Sequence, residues 1–318
     1  MALETPLTQS WELQYPILLA PMGAVAGGEL ARAVSRAGGL GLIGPGYHDA
    51  AWLDREFERA AGARVGVGFI TWDLAKDPGK LQAALAHRPF AVMLSFGDAA
   101  PFVDAIRRAG ARLILQVQSV EAAREARSLE PDLIVAQGTE AGGHGAEQTL
   151  HSLLPAVIEA SGPIPVAAAG GIANGQGLAA ALALGATGVL IGTRFFATRE
   201  ALAPDEAKQR IVNSRAASTL RTRVFDIVRR LDWPPGFTGR AIGNEFSARW
   251  HGHELELEAQ IEIEYQRYKA AAAAADLSTA VLWAGQGIDS IDAIEPASAV
   301  MARLAREAEH ALTDLPRR

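Results

Sequence analysis

Short apolar runs recur along the first two thirds of the chain, each followed by a polar or glycine-bearing turn and an amphipathic segment rich in Ala and Leu. Eight of these runs are candidate strands, and their starts lie 20 to 32 residues apart. That spacing holds one strand, one helix and two loops, and the continuously apolar runs are typical of parallel strands covered on both faces. The candidate strands begin at Ile17, Leu40, Val65, Ala91, Arg112, Asp132, Ile164 and Gly188.

Eight β-α units predict an α/β protein with a closed (β/α)8 TIM barrel. An open doubly wound sheet is the alternative, but a barrel uses eight equal units and leaves no exposed edge. The longest interval, 32 residues, separates the sixth and seventh strands, and its extra residues follow the sixth strand directly. Barrel enzymes build their active sites at this end of the strands.

The β-α rhythm stops after the eighth strand, which divides the chain into three segments. Residues 1–203 are predicted to form the barrel, and residues 204–276 an inserted helical domain after strand eight that could cover the barrel mouth. Its helices flank a loop with the helix-breaking sequence Trp233-Pro234-Pro235-Gly236. Residues 277–318 return to the barrel, with the amphipathic stretch 296–312 as its last helix.

Composition excludes several classes of function. The 318 residues carry a formal net charge of −6, which disfavours nucleic acid as a partner. There is no Cys, so disulfides, thiolate catalysis and Cys-ligated metals are excluded. No metal site is expected, because His251 and His253 are two residues apart and point in different directions on a helix.

The apolar segments predict neither an export signal nor a membrane span. The first 14 residues contain Glu4 and Glu12 and no Lys or Arg, and the longer apolar runs are interrupted by Gly. We therefore expect a soluble cytoplasmic protein with no membrane partner.

A glycine-rich segment around His144 directly follows the sixth strand. Its sequence, residues 137–145, is QGTEAGGHG. The glycines let the backbone approach a flat ligand and present the imidazole to a substrate, which makes His144 the candidate catalytic residue. The alternative is a tight turn with His144 as an ordinary surface residue.

Two further glycine clusters end the seventh and eighth strands. They contain Gly170 and Gly171 in one case and Gly192, followed by Thr193, in the other. Barrels of this type commonly bind a phosphate there against bare backbone N–H groups. The pair predicts a phosphorylated ligand, although either cluster alone could be only a turn.

The end of the first strand, Ala20-Pro21-Met22-Gly23, offers a flat backbone platform at the barrel mouth. Met22 by itself is as readily explained as core packing. The spacing of Gly39, Gly41 and Gly44 matches GxGxxG, but it starts at a strand and does not open a helix, so a Rossmann fold is not indicated.

Four segments together resemble the nitronate monooxygenase family, formerly called 2-nitropropane dioxygenases. They are PMGAVAGGELARAVSRAGGLG (residues 21–41), AQGTEAGGHG (136–145), AAAGGIANGQGLAAALALGATGVLIGTRF (167–195) and WAGQGIDSI (283–291). Flavin-dependent enoyl-acyl-carrier-protein reductases and NADH:quinone reductases of the same fold share this pattern. The resemblance implies a cofactor, FMN, on a (β/α)8 barrel with an inserted helical domain.

Carried over by position, the resemblance assigns roles to thirteen residues. It implies that His144 is the catalytic imidazole above the flavin. The residues implied to bind FMN are Ala20, Pro21, Met22 and Gly23 under the ring, Gln116 and Gln137 at the ring or ribityl chain, Gly142 and Gly143 along the flavin, and Gly170, Gly171, Gly192 and Thr193 at the phosphate.

The implied activity is oxidation of alkyl nitronates with O2 to a carbonyl product and nitrite. The runner-up is an NAD(P)H-dependent FMN reductase acting on a quinone or enoyl thioester. Phosphate contacts would then come from Arg221, Arg223, Arg229 and Arg230, although a solvated helix face is the simpler interpretation of these arginines. A flavin-binding protein without turnover is a third reading, because many relatives have Asn at the position of Gly68. The expected partners are a small-molecule substrate and O2, and a homodimer is an open alternative.

Overall fold

The computed structural model describes residues 3–314, so the outer ends of the first and third predicted segments, 1–2 and 315–318, lie outside the described residues. Its strands are β1 (Ile17–Leu19), β2 (Gly41–Ile43), β3 (Val65–Ile70), β4 (Ala91–Ser95), β5 (Arg112–Val117), β6 (Leu133–Gln137), β7 (Gly143–Gly145), β8 (Val166–Ala169), β9 (Gly188–Ile191), β10 (Thr219–Thr222) and β11 (Thr238–Ile242).

The α-helices occupy most of the intervals between strands. They are α1 (Pro6–Trp11), α2 (Gly28–Arg36), α3 (Ala50–Arg59), α4 (Thr71–Leu74), α5 (Gly79–Ala86), α6 (Ala100–Arg108), α7 (Val120–Ser128), α8 (Leu150–Ser161), α9 (Gly175–Ala183), α10 (Thr193–Phe196), α11 (Asp205–Asn213), α12 (Val224–Arg229), α13 (Glu245–Trp250), α14 (Glu254–Ala259), α15 (Ile261–Ala273) and α16 (Ala297–Thr313). Short 3-10 helices span Ala216–Ser218 and Gln286–Ser290.

Eight parallel strands form the predicted (β/α)8 barrel, in the order β1-β9-β8-β6-β5-β4-β3-β2. The ends of this order meet at a parallel bridge between Leu18 and Leu40. There the Leu19 N–H donates to the Leu40 carbonyl at 2.9 Å, and the Leu40 N–H donates to the Ile17 carbonyl at 3.1 Å. The barrel prediction is confirmed, and each strand begins within two residues of its predicted start.

Strand residues alternate between two apolar layers. Leu18, Leu42 and Met93 belong to the cluster inside the barrel, which also contains Leu7 and Trp11 of α1. Neighbours such as Ile17 and Ile43 belong to the cluster between the barrel and its helices. Because both faces are buried, the central residues of the strands are apolar on both faces, which explains the continuous apolar runs in the sequence, and the polar residues of these strands lie at or near their ends.

The C-terminal segment returns to the barrel as expected. Helix α16 begins one residue after the predicted start and packs against α9 and α2. The Glu307 carboxylate accepts the N–H of Gly175, the first residue of α9, at 2.9 Å. The last helix therefore lies between the helices of the seventh and first β-α units, where it closes the helical layer of the barrel, although the exact division of the chain at residues 203 and 276 stays a prediction.

The inserted region contains the predicted helices and also two strands that the sequence did not predict. Strand β10 pairs with β11, and β11 pairs with β7, both antiparallel. Strand β7 lies in the glycine-rich segment after β6, which the sequence indicated as a loop. Strand pairing joins the insertion to the barrel, because the backbone N–H and C=O groups of β7 find hydrogen-bond partners in β11.

A small apolar core stabilises the insertion, formed by residues of α12, β11, α13, α14 and α15. No helix within residues 3–314 is long and apolar enough to cross a lipid bilayer.

Two leucines on the same helix test this second core. Leu257 is 0% exposed and Leu255 is 79% exposed. We expect Leu257→Ala to lower the free energy of unfolding by about 2–5 kcal/mol, because it removes buried methyl groups and leaves a cavity. The matched change Leu255→Ala alters it by about 0.5 kcal/mol or less. Urea denaturation of both variants measures the difference, and equal effects would contradict the assigned core.

Candidate active site

His144 lies in the middle of β7, where its backbone is held from two sides. Strand pairing places it opposite Gly239 of β11. Its carbonyl accepts the side-chain amide of Gln137, at the end of β6, at 3.0 Å. The preceding Gly143 has φ +71°, a conformation that favours glycine, and the space where a Cβ would lie is open. The glycine-rich segment therefore gives His144 a fixed position at the barrel mouth.

The His144 imidazole contacts a carboxylate and two indoles. Its Nε2 lies 2.9 Å from both carboxylate oxygens of Asp226 on α12. The ring of Trp233 stacks on it with centroids 3.4 Å apart and 5° between the planes. Trp283 approaches at 5.0 Å with a tilt of 57°. All three partners lie in or beyond the insertion, so the insertion covers the imidazole.

Burial dominates the electrostatics of His144. It lowers the pKa of the imidazole below its ordinary 6.5, while the hydrogen bond and the negative charge of Asp226 raise it in part. Arg229 and Arg221 add to the lowering. The folded protein therefore favours the neutral imidazole at pH 7, the form that can accept a proton.

A cluster of aromatic side chains surrounds Trp233, and we call it the aromatic cover. The Trp233 Nε1–H donates to the Tyr47 hydroxyl at 3.0 Å. The indole meets Trp72 and Phe96 edge to face at 5.5 and 5.1 Å, and Phe237 lies beside it. Burial raises the pKa of Tyr47, so its hydroxyl stays protonated. The residues of the aromatic cover are Tyr47, Trp72, Phe96, Trp233 and Phe237.

Three glutamines form a ladder below His144. The Gln137 side-chain oxygen accepts the amides of Gln116 at 3.1 Å and of Gln118 at 2.9 Å. Gln116 and Gln137 were the predicted flavin contacts, and the ladder brings them together at adjacent strand ends. The side-chain oxygen and nitrogen of Gln137 both form hydrogen bonds within the protein. The Gln116 side chain forms fewer such bonds, so it is the more available of the two for a ligand.

The predicted phosphate-binding glycines lie side by side at the ends of β8 and β9. Gly170 and Gly171 have φ +116° and +71°. Within residues 3–314, the backbone N–H groups of Gly170, Gly171 and Gly192 have no hydrogen-bond partner. The nearest atoms to a Cβ at Gly192 would be Met22 Sδ and Ala20 Cβ, at 3.4 and 3.5 Å. This rim of unpaired donors without side chains fits an anionic phosphate.

Thr193 and Gly142 both contact the C-terminal segment. The Thr193 hydroxyl oxygen accepts the Gly285 N–H at 3.0 Å and keeps its own proton to donate. A Cβ on Gly142 would lie 2.6 Å from the Gly285 nitrogen. Packing against residues 284–285 therefore explains why position 142 is glycine, whereas Gly143 borders open space.

The platform from Ala20 to Gly23 packs against glycines of the neighbouring strands. A Cβ on Gly44 would lie 2.6 Å from the Met22 nitrogen, and one on Gly68 would collide with the ring of Pro21. Gly44 therefore allows the platform to pack closely against the end of β2. This packing role explains the last glycine of the GxGxxG match without a Rossmann turn. The contact with Pro21 gives a packing reason for glycine at position 68.

Two of the arginines considered for a dinucleotide phosphate bind other groups of the protein. Arg221 donates to the carbonyls of Thr139 and Thr238 at 3.0 and 2.6 Å, and burial lowers its pKa to about 10. Arg230 pairs with Glu262 at 2.7 Å. Arg221 thus holds the segment that precedes His144 rather than a ligand.

The remaining histidines do not converge on the site. His251 contacts Thr222 at 3.1 Å, and His253 contacts Glu256 at 3.5 Å. In the part of the chain that the structure describes, no group of three His, Asp or Glu side chains is placed to hold a metal ion.

Sequence reasoning missed Asp226, Trp233, Trp283 and Gln118 as site residues. Trp283 did appear in the C-terminal motif, and Gly239 opposite His144 leaves room for its ring, since a Cβ there would collide with it. Asp226 carries no local signal, because it is 82 residues from His144 and its helix has only six residues.

Comparison with known proteins places the chain in a family. Residues 4–63 and 56–307 match the family model described as nitronate monooxygenase. The chain is 38% identical to nitronate monooxygenase npaC of Metarhizium robertsii over 280 residues, which cover 77% of this chain and 76% of that protein.

Two solved structures share the fold over nearly the whole chain. FabK from Thermotoga maritima superposes with a TM-score of 0.86 at 28% identity, covering 98% of both chains. Nitroalkane oxidase from Streptomyces ansochromogenes gives a TM-score of 0.81 at 30% identity, covering 97% of this chain and 99% of that one.

Asparagine at position 68 tests the packing under the platform. We expect Gly68→Asn to lower the free energy of unfolding by about 1–3 kcal/mol, because the side chain overlaps Pro21 and shifts the platform. Gly110→Asn is the control, since position 110 has φ +73° and open space around it and Asn tolerates that conformation. Thermal unfolding compares the two, and a more stable Gly68→Asn protein would show that the platform accepts a side chain.

Proposed function

The chain belongs to the nitronate monooxygenase family, and from this we propose that it is an FMN enzyme that oxidises alkyl nitronates with O2 to a carbonyl product and nitrite. Family membership makes the chain an oxidoreductase with a small-molecule substrate, and it implies a flavin cofactor. One observation carries the proposal. The buried imidazole of His144 lies at the same barrel mouth as the unpaired backbone N–H groups of the glycines that end β8 and β9.

The glycine rim supports FMN as the form of the flavin. Gly170, Gly171 and Gly192 supply unpaired N–H groups at adjacent strand ends, and the Thr193 hydroxyl can donate beside them. A terminal phosphate is the group that such a rim binds best. The platform from Ala20 to Gly23 lies at the same mouth and would support the ring, and the Gln116 amide would contact it. The flavin supplies the electron transfer and the reaction with oxygen.

The protein supplies orientation, shielding and proton handling around the substrate. The neutral His144 imidazole can accept the α-proton of a neutral nitroalkane, which leaves the nitronate, and the resulting imidazolium can donate a hydrogen bond to the nitronate oxygens. The aromatic cover lies over the imidazole and keeps water from it, which strengthens each polar contact inside. Arg229 and Arg221 add positive potential that favours an anionic substrate.

An NAD(P)H-dependent reductase of a quinone or enoyl thioester is the second candidate, favoured by the likeness to FabK over 98% of the chain. Anaerobic mixing separates the two functions. Rapid loss of flavin absorbance with a nitronate, together with slow or no loss with NADH and NADPH, supports the monooxygenase. The reverse pattern supports the reductase. A purified protein that is colourless and does not bind added FMN contradicts both.

A carboxylate at position 192 tests the phosphate site. We expect Gly192→Asp to weaken FMN binding by about 100-fold or more, because it places a negative charge among the N–H groups that would meet the phosphate. Gly192→Ala is the matched control, since φ −107° suits any residue and a Cβ has room. Fluorescence titration with FMN measures both, and equal affinities would place the phosphate elsewhere.

Removal of the imidazole tests the catalytic role of His144. We expect His144→Ala to bind FMN and to lower kcat/KM for the neutral nitroalkane, whose α-proton must be removed, by about 10²-fold or more, as for the loss of a positioned acid-base group. His144→Gln accompanies it, because its amide can still donate to the buried Asp226. The exposed His151→Ala is the control. Turnover equal to that of the unsubstituted protein in both His144 variants would remove this residue from the mechanism.

A further inference from the structure

We propose that Asp226 is a positioning residue that keeps the proton of the neutral His144 imidazole on Nε2, so that Nδ1 is the atom presented to the substrate. The inference rests on the proposed function for the identity of the substrate, but the protonated nitrogen can be observed without turnover.

The contact itself fixes the direction of the hydrogen bond. Both Asp226 oxygens lie 2.9 Å from Nε2, and the side chains of His144 and Asp226 are only 8% and 5% exposed. An ionised carboxylate only accepts hydrogen bonds, so Nε2 must carry the proton. A neutral imidazole has one N–H, which leaves Nδ1 with a lone pair.

The rest of the ring is covered in a way that singles out Nδ1. Trp233 lies flat on one face, and Trp283 approaches at an angle. The backbone of His144 is fixed by β11 and by the Gln137 amide. Among residues 3–314 no group forms a hydrogen bond with Nδ1. Nδ1 is therefore the polar ring atom left for a ligand.

The charged and titratable groups around the imidazole come from three elements. Asp226 and Arg229 lie on α12, Arg221 lies on β10, and Tyr47 reaches Trp233 from the segment after β2. Tyr47 is neutral because burial raises its pKa. Only Asp226 raises the pKa of His144, against burial and the two arginines.

This balance gives the sign of the pH effect. Replacing the Asp226 carboxylate by an uncharged group removes the interaction that favours the imidazolium, so the His144 pKa falls further below its ordinary value. If the neutral form is active, the acid limb of the kcat/KM profile moves to lower pH. If the protonated form is active, the basic limb of the kcat/KM profile also moves to lower pH. The shift is downward in either case.

The first experiment reads the tautomer directly. The protein labelled with 15N-histidine is examined by NMR at a pH above the His144 pKa, with His144→Gln used to assign the signal among the seven histidines. We expect Nε2 to carry the proton and Nδ1 to show the shift of an unprotonated nitrogen. A proton on Nδ1 would overturn the proposal. This result does not depend on nitronate oxidation, so failure of the proposed function is seen separately.

The second experiment measures Asp226→Asn in the FMN-loaded protein. The Asn side chain can donate as well as accept and no longer imposes one tautomer, so we expect kcat/KM to fall by about 10² to 10⁴-fold at pH 7. The pH midpoint should also move down. Asp232→Asn is the control, because it makes the same charge change at an exposed position beside Trp233.

A purely structural role for Asp226 gives a different pattern. Activity would then fall by one factor at every pH, with an unchanged midpoint, and the proposal would be wrong. If Asp226→Asn does not fold, Asp226→Glu takes its place, since it keeps a carboxylate and should keep the Nε2–H tautomer. A Glu variant that folds and carries the proton on Nδ1 would equally contradict the proposal.

Discussion

The pairing of β7 with β11 is the interaction on which the site depends. It joins the segment after the sixth barrel strand to the insertion and sets His144 opposite Gly239. Because strand pairing fixes backbone position and direction, it determines which side chains of the insertion reach the imidazole. Asp226, Trp233 and Trp283 all meet it through this joint. The barrel alone would leave His144 exposed at the end of a flexible glycine-rich segment.

Burial gives the His144–Asp226 pair its chemical character. The imidazole loses hydration and favours its neutral form, while the carboxylate holds the ring in one orientation. The two effects oppose each other in pKa, and burial is the larger, so the neutral imidazole is favoured. Stacking on Trp233 excludes water from one face and adds no charge. The site therefore combines an aromatic cover that excludes water with one imidazole held in a fixed orientation.

The glycines at the barrel mouth serve two physical purposes. Gly68 and Gly142 allow close packing, against Pro21 and against the segment with Gly285. Gly170, Gly171 and Gly192 instead leave backbone N–H groups unpaired. The first kind shapes the platform and its packing against the C-terminal segment. The second kind leaves hydrogen-bond donors at the barrel mouth, and the proposed FMN phosphate would bind there. Sequence composition does not distinguish them, because both read as glycine at a strand end.

The sequence by itself determined the barrel, the order of its units, the last helix and the candidate catalytic histidine. Those features follow from apolar periodicity and from glycine at strand ends, which act over a few residues. The tertiary structure decided the strand at His144, the Asp226 contact and the aromatic cover. Asp226 and Trp233 lie 80 residues or more beyond His144 in the chain. Such contacts depend on how the insertion folds back over the barrel, and no local pattern of residue types encodes that path.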